Sequence, residues 1–169
     1  MAIIRQYKLK IILGLMLCMM SITICAKDEF RIIDYRLGLN SGTINHIVFD
    51  KQGFAWLSTP DGIIRYDGVL FYPYTHQSGN DHSLYNNNVI KTLPATCGMW
   101  IGAGNALQYY DYHTGKFYIE QYIDSNGKVS KINQDRIISL FRLGDKIFAT
   151  DNKGYMYGKQ EDEQFFSLL

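Results

Sequence analysis

One stretch returns in this chain, and the return limits what the chain can fold into. Trp56-Leu57-Ser58-Thr59-Pro60-Asp61-Gly62-Ile63-Ile64-Arg65-Tyr66-Asp67-Gly68 is followed, 44 positions on, by Trp100-Ile101-Gly102-Ala103-Gly104-Asn105-Ala106-Leu107-Gln108-Tyr109-Tyr110-Asp111. Without a gap, Trp56 falls on Trp100, Gly62 on Ala106, Tyr66 on Tyr110 and Asp67 on Asp111. The stretch reads as strand, turn, strand, turn. Pro presets φ and Gly takes a positive φ in Pro60-Asp61-Gly62, while Asp67-Gly68 is a hairpin signal between β-branched and aromatic runs. A period of this length carrying about four short strands is the sequence mark of a β-propeller blade.

The same rhythm divides the rest. Phe30 to Tyr35 reads as a lone strand within 28–35, with an aromatic start like Phe71-Tyr72-Pro73-Tyr74 and Phe117-Tyr118-Ile119-Glu120. An orphan fourth strand ahead of the first unit is the piece that closes a propeller ring. Unit one spans 38–75, with Ile44 and Ile47 in its first strand, Trp56 in its second, and Val69 to Tyr74 as its fourth. Unit two spans 83–122, with Ile90 and Leu93 in the places of Ile44 and Ile47, and Lys116 to Tyr122 as its fourth strand. Unit three, 132–169, is degenerate: Ile132 to Phe141 reads as its first strand, and Ile147-Phe148-Ala149-Thr150 replaces the Trp strand. The expected fold is all-β, about two and a half four-stranded blades of an incomplete propeller over 27–169.

Residues 1–26 read as a secretory signal peptide. Arg5, Lys8 and Lys10 precede the apolar run from Ile11 to Ile24, and Cys25-Ala26 leads into Lys27-Asp28-Glu29. The run is short for a membrane span, which needs about 20 residues. Cleavage near Ala26 leaves 14 basic and 16 acidic residues, a formal charge of −2. That balance offers no basic patch for nucleic acid. Of three cysteines only Cys97 lies beyond the signal, so no internal disulfide is possible there.

At the residue level the repeat resembles a known family. Leu39, Ser41, Ile44, Ile47, Asp50, Gly53, Trp56, Thr59, Gly62, Ile63, Arg65, Tyr66, Asp67 and Gly68 follow the pattern of the two-component regulator propeller repeat. Ser41 stands where that repeat usually has Asn, which unit two keeps in Asn86-Asn87-Asn88. The resemblance covers 28–122 well and 132–160 weakly. It implies the periplasmic sensor of a hybrid two-component histidine kinase, typical of gut Bacteroidetes, that answers a carbohydrate breakdown product through a ligand-shifted domain arrangement in a dimer. It further implies two seven-bladed propellers, an immunoglobulin-like domain, a membrane helix and a kinase core, none of which follows within 169 residues. The expectation is therefore an N-terminal fragment or short relic of such a sensor. It would reach the inner membrane only through the missing region or an uncleaved signal. Fewer than three complete blades would leave open strand edges and half-covered apolar faces.

For single residues the expectations are modest. Trp56 and Trp100 recur once per blade, as packing between blades requires, rather than as sugar-stacking platforms. Gly62, Tyr66 and Tyr110 belong to the same structural motif, and Asp67 and Asp111 are expected to bond their own turns. Asn86, Asn87 and Asn88 lie on a loop entering a blade and are the candidates for ligand contact. His46, His76, His82 and His113 are scattered, and no catalytic or metal-ligating spacing appears. The expected partners are an oligosaccharide and either the remaining blades or copies of the chain, with no cofactor, no metal and no chemistry of its own. A stand-alone scaffold assembled from several copies is the rival reading. A propeller glycan lyase or hydrolase is a weaker one, because no spaced pair of acids supports it.

Overall fold

The computed structural model describes Lys10, residues 38–161, 163–164 and 166–168. The chain divides into two units, Met1–Ile32 and Ile33–Leu169. The expected signal peptide and the strand at 28–35 lie outside the described residues.

From Gly38 onward the regular structure is strand, arranged as three sheets in chain order, antiparallel but for one parallel pair in the third. Sheet one holds β1 (His46–Phe49), β2 (Ala55–Thr59), β3 (Gly62–Tyr66) and β4 (Phe71–Tyr74), paired in that order. Sheet two repeats the meander with β5 (Val89–Pro94), β6 (Gly98–Ala103), β7 (Ala106–Asp111) and β8 (Lys116–Ile119). Sheet three holds β11 (Ile137–Leu143), β12 (Lys146–Asp151), β13 (Met156–Gln160) and β14 (Phe166–Leu168). Its outer edge is extended by β9 (Gln121–Ile123), which runs parallel to β14, and by β10 (Val129–Lys131). The first strands β1, β5 and β11 neighbour one another in turn, as inner strands of successive propeller blades do. From Gly38 onward the described residues are thus all-β, a run of blades that close no ring among themselves.

Side-chain alternation along each strand makes each sheet two-faced. In sheet one, Val48, Trp56, Ile63 and Tyr74 turn toward sheet two and enter a buried cluster with Leu84, Met99, Ile101, Tyr110 and Phe117. In sheet two, Leu93, Trp100, Leu107 and Tyr109 turn the other way, into a second cluster with Ile137, Leu140, Ile147, Ala149, Tyr157 and Phe166. Each tryptophan therefore belongs to the interface with the following sheet. Trp56 lies 5.7, 5.6 and 5.9 Å from the rings of Tyr74, Tyr110 and Tyr112. Such aromatic pairs contribute about 0.5–1.5 kcal/mol each beyond their buried area.

The turns are held by aspartates. Asp50 Oδ1 accepts hydrogen bonds from the backbone N–H groups of Gln52 and Phe54, and Oδ2 accepts from Trp56 Nε1 at 2.8 Å. Asp151 repeats the device: Oδ1 accepts from Lys153 and Tyr155 N–H, and Oδ2 from the Tyr157 hydroxyl at 3.1 Å. Gly62, at φ +125°, follows the β2–β3 turn, where a Cβ would run into the carbonyl oxygen of Tyr74. Gly98 answers a different need, since a Cβ there would strike the Tyr110 carbonyl and the Tyr109 ring.

Four details of the strand reading are corrected. Leu93 pairs opposite Trp100 as Val48 pairs opposite Trp56, so Leu93 takes the place of Val48 and not of Ile47. The run Lys116 to Tyr122 is broken at Glu120: its N–H still keeps the β7 register with Leu107 O at 2.9 Å, but its carbonyl accepts from Ile132 N–H at 2.8 Å, and β9 belongs to sheet three. The first strand of the third sheet begins at Ile137, while Ile132 is buried ahead of it in the core. Val69 and Leu70 also precede β4 and are exposed, because Asp67 gathers both of their N–H groups into the turn.

Candidate ligand-binding groove

The connection between β4 and β5, residues 75–88, is folded onto sheet two by its own polar side chains. Buried Gln108 accepts from Tyr85 N–H at 2.7 Å and donates to Ser83 O at 3.2 Å. Ser83 Oγ accepts from Gln77 N–H at 3.0 Å and donates to Asn80 O at 2.9 Å. His76 Nδ1 lies 2.8 Å from Leu84 O, and Phe117 N–H donates to His82 O at 3.0 Å. The loop is therefore laid down by the fold before any ligand arrives.

Between this loop and the β7–β8 edge lies a cavity of about 710 Å³. Its walls include His76, His82, Tyr85, Asn86, Tyr118 and Lys131. Tyr118 meets His82 edge-on, with centroids 5.1 Å apart, and both Tyr85 and Tyr118 remain partly open to solvent. A second cavity, of about 250 Å³, is lined by Lys131 together with Tyr122, Asn133, Gln134, Tyr155 and Tyr157, with Asp135 and Lys153 paired at 2.8 Å. Lys131 lines both cavities, and taken together as the groove they carry aromatic rings and neutral hydrogen-bonding groups beside Asp81, Lys131 and the Asp135–Lys153 pair. That lining suits a polyhydroxylated ligand, which offers apolar ring faces and a rim of hydroxyls. Among the described residues, no group of three or more His, Cys, Asp or Glu side chains is placed to hold a metal.

The asparagines divide. Asn86 lines the larger cavity, but its Oδ1 accepts from Asn88 N–H at 2.8 Å. Asn87 Oδ1 accepts from His76 N–H at 2.6 Å, and Asn88 O accepts from Gly104 N–H at 2.8 Å. Asn87 and Asn88 thus shape the loop, and Asn86 alone of the three reaches the groove wall. Trp56, Trp100 and Tyr110 sit in the interblade cores, away from the groove. Tyr66 stacks on Phe71 at 4.4 Å and donates to Gly68 O at 2.6 Å. The N–H groups of Leu70 and Val69 hold the Asp67 carboxyl below its usual range, and His113 N–H does the same for Asp111. Burial pushes the Tyr109 hydroxyl up to about 12, so it serves as an uncharged packing group.

Sequence reasoning missed that His76 and His82 line one cavity, and missed Tyr118 and Lys131. The two histidines share one loop and were open to grouping. Tyr118 and Lys131 line one cavity only because sheet three borrows β9 and β10 from the segment after sheet two. His46 instead stands between sheets one and two, 3.4 Å from Thr92 Oγ1, and His113 occupies an exposed turn.

No family model and no curated protein matches the chain. Solved structures do. One is an extracellular domain assigned to a hybrid two-component system of B. thetaiotaomicron, with a TM-score of 0.67 and 22% identity over 80% of this chain. Another is an extracellular domain assigned to a one-component system of the same organism, with a TM-score of 0.61 and 15% identity over 84% of this chain. The chain shares their fold and spans 19% and 21% of their lengths.

Proposed function

We propose that this chain supplies blades of an exported, periplasmic sensor propeller in a two-component signalling system, that it answers an oligosaccharide, and that it carries no catalysis itself. The fold held in common with extracellular domains of bacterial signalling systems is the observation that carries this reading. The groove supports the ligand class. Its tyrosines offer flat apolar faces, and His76, His82, Asn133 and Gln134 offer hydrogen bonds without a dominant charge.

The test is calorimetric titration of the purified exported chain with a panel of neutral and uronic-acid-containing oligosaccharides. At least one is expected to bind, with Tyr118→Ala and Lys131→Ala each weakening it by about tenfold, the equivalent of about 1.4 kcal/mol. Asn88→Ala, away from the groove wall, is expected to bind as the parent does. Binding to none of the panel, or binding indifferent to Tyr118, overturns the ligand assignment. Autophosphorylation or sugar cleavage by the purified chain overturns the non-catalytic part.

A further inference from the structure

The charged side chains along the groove are unevenly placed. The larger cavity holds Asp81 against Lys131. The smaller one holds two ammonium groups, Lys131 and Lys153, against the single carboxylate of Asp135. The nearby Asp151 is buried, and its oxygens are taken by the Lys153 and Tyr155 N–H groups and the Tyr157 hydroxyl. Positive charge is therefore in excess in the wall of the smaller cavity.

That excess is open to a ligand. Lys153 commits one N–H to Asp135 at 2.8 Å, and an ammonium group has more than one to give. Its side chain is 62% exposed and that of Asp135 only 17%, so the pair presents its cation to the outside. Lys131 ends β10, the edge strand of sheet three, opposite the neutral Gln121. Among the described residues no carboxylate pairs with it. Asn133 and Gln134 add amide groups that donate hydrogen bonds, and Tyr155 adds a half-open ring face. A cleft lined by an excess of one sign focuses its field and concentrates the opposite charge. Hydrogen bonds from an ammonium group to an oxyanion are also about twice as strong as those between neutral groups.

We infer that the smaller cavity is the subsite for an anionic sugar residue, whose carboxylate or sulfate ester is met by Lys131 and Lys153, while the larger cavity takes the uncharged remainder of the oligosaccharide. The inference rests on the oligosaccharide reading above and gives the ligand a direction in the groove. Asp81 disfavours a second anionic group in the larger cavity.

Calorimetric titration of the purified exported chain with matched pairs tests this. The panel holds xylo- and galacto-oligosaccharides carrying one glucuronic acid, each beside its methyl ester, and singly sulfated forms beside unsulfated ones. The tightest binder is expected to be a charged member, about tenfold or more tighter than its uncharged counterpart. Which charged series wins separates carboxylate from sulfate. Lys131→Gln and Lys153→Gln are each expected to narrow that preference by about threefold. Asp135→Asn is expected to widen it, because it removes the competing carboxylate. A merely structural Asp135–Lys153 pair would make Lys153→Gln and Asp135→Asn act in the same direction. Circular dichroism checks that the variants keep the fold. Equal binding within the pairs, a tightest binder that is uncharged, or parallel shifts in those two variants overturns the inference and leaves the oligosaccharide reading standing. Binding to no member of the panel removes both.

Discussion

At the residue scale, the informative contrast is between two tryptophans in equivalent positions. Trp56 is satisfied: Asp50 takes its indole proton while also holding the turn in front of it. Trp100 has lost that partner, because the shorter turn before it carries Ala95 and no aspartate. Its buried Nε1 finds no acceptor among the described residues. An unpaired buried donor costs roughly 1–3 kcal/mol, and a satisfied one contributes about 1 kcal/mol. Replacing each tryptophan by phenylalanine removes similar ring area, but only Trp56→Phe breaks a hydrogen bond. Urea unfolding should therefore show Trp56→Phe to be the more damaging change by about 1 kcal/mol or more. Equal losses would contradict the assigned role of Asp50. The Asp50–Trp56 spacing was legible, since both residues lie in the repeat. The same spacing at Asp151–Tyr157 was open to view as Asp-x-x-Gly-x-x-aromatic. It was obscured because it sits one turn later in its sheet, between β12 and β13.

At the scale of elements, sheet three is clasped to sheet two by charge as well as by its core. Arg142 bonds Glu161 at 2.7 Å and Pro94 O at 3.0 Å, and Glu161 also accepts from Thr96 N–H at 2.8 Å. The Arg142 guanidinium, helped by that N–H, holds the Glu161 carboxyl below its usual value of 4.5. A carboxyl lowered by folding stabilises the fold above its ordinary value and loses that contribution as pH falls through the folded one. Glu161→Gln should therefore lose less thermal stability than the parent on acidification below about pH 4.5, although the partly exposed pair keeps the effect small. A parent and variant with parallel Tm profiles would remove Glu161 from the clasp. Deeper in, Lys159 stands 4.5 Å from the Trp100 ring centroid and 3.5 Å from Glu120, in a site where burial pushes the Glu120 carboxyl up. Local patterning revealed the hairpins, because β-branched and aromatic runs with Asp and Gly turns mark them directly. It did not reveal the break at Glu120 or the parallel β9–β14 pairing, which depend on contacts far apart in sequence.

At the scale of the molecule, each of the first two sheets packs its second-strand tryptophan against the next. The blade order was readable because a required residue recurs. The groove was not, because its walls come from a loop after sheet one, an edge of sheet two and strands attached to sheet three. Asn86 was the part of it visible locally. The central claim is that Trp56 and Trp100 are the buried pins of two successive interfaces. As these are the chain's only two tryptophans, acrylamide quenching of fluorescence excited beyond the tyrosine absorption band reads both pins together. The native chain should emit at short wavelength and resist quenching until a single cooperative unfolding transition, with Trp56→Phe and Trp100→Phe each leaving one protected emitter. A native tryptophan quenched as readily as in the unfolded chain would contradict the account.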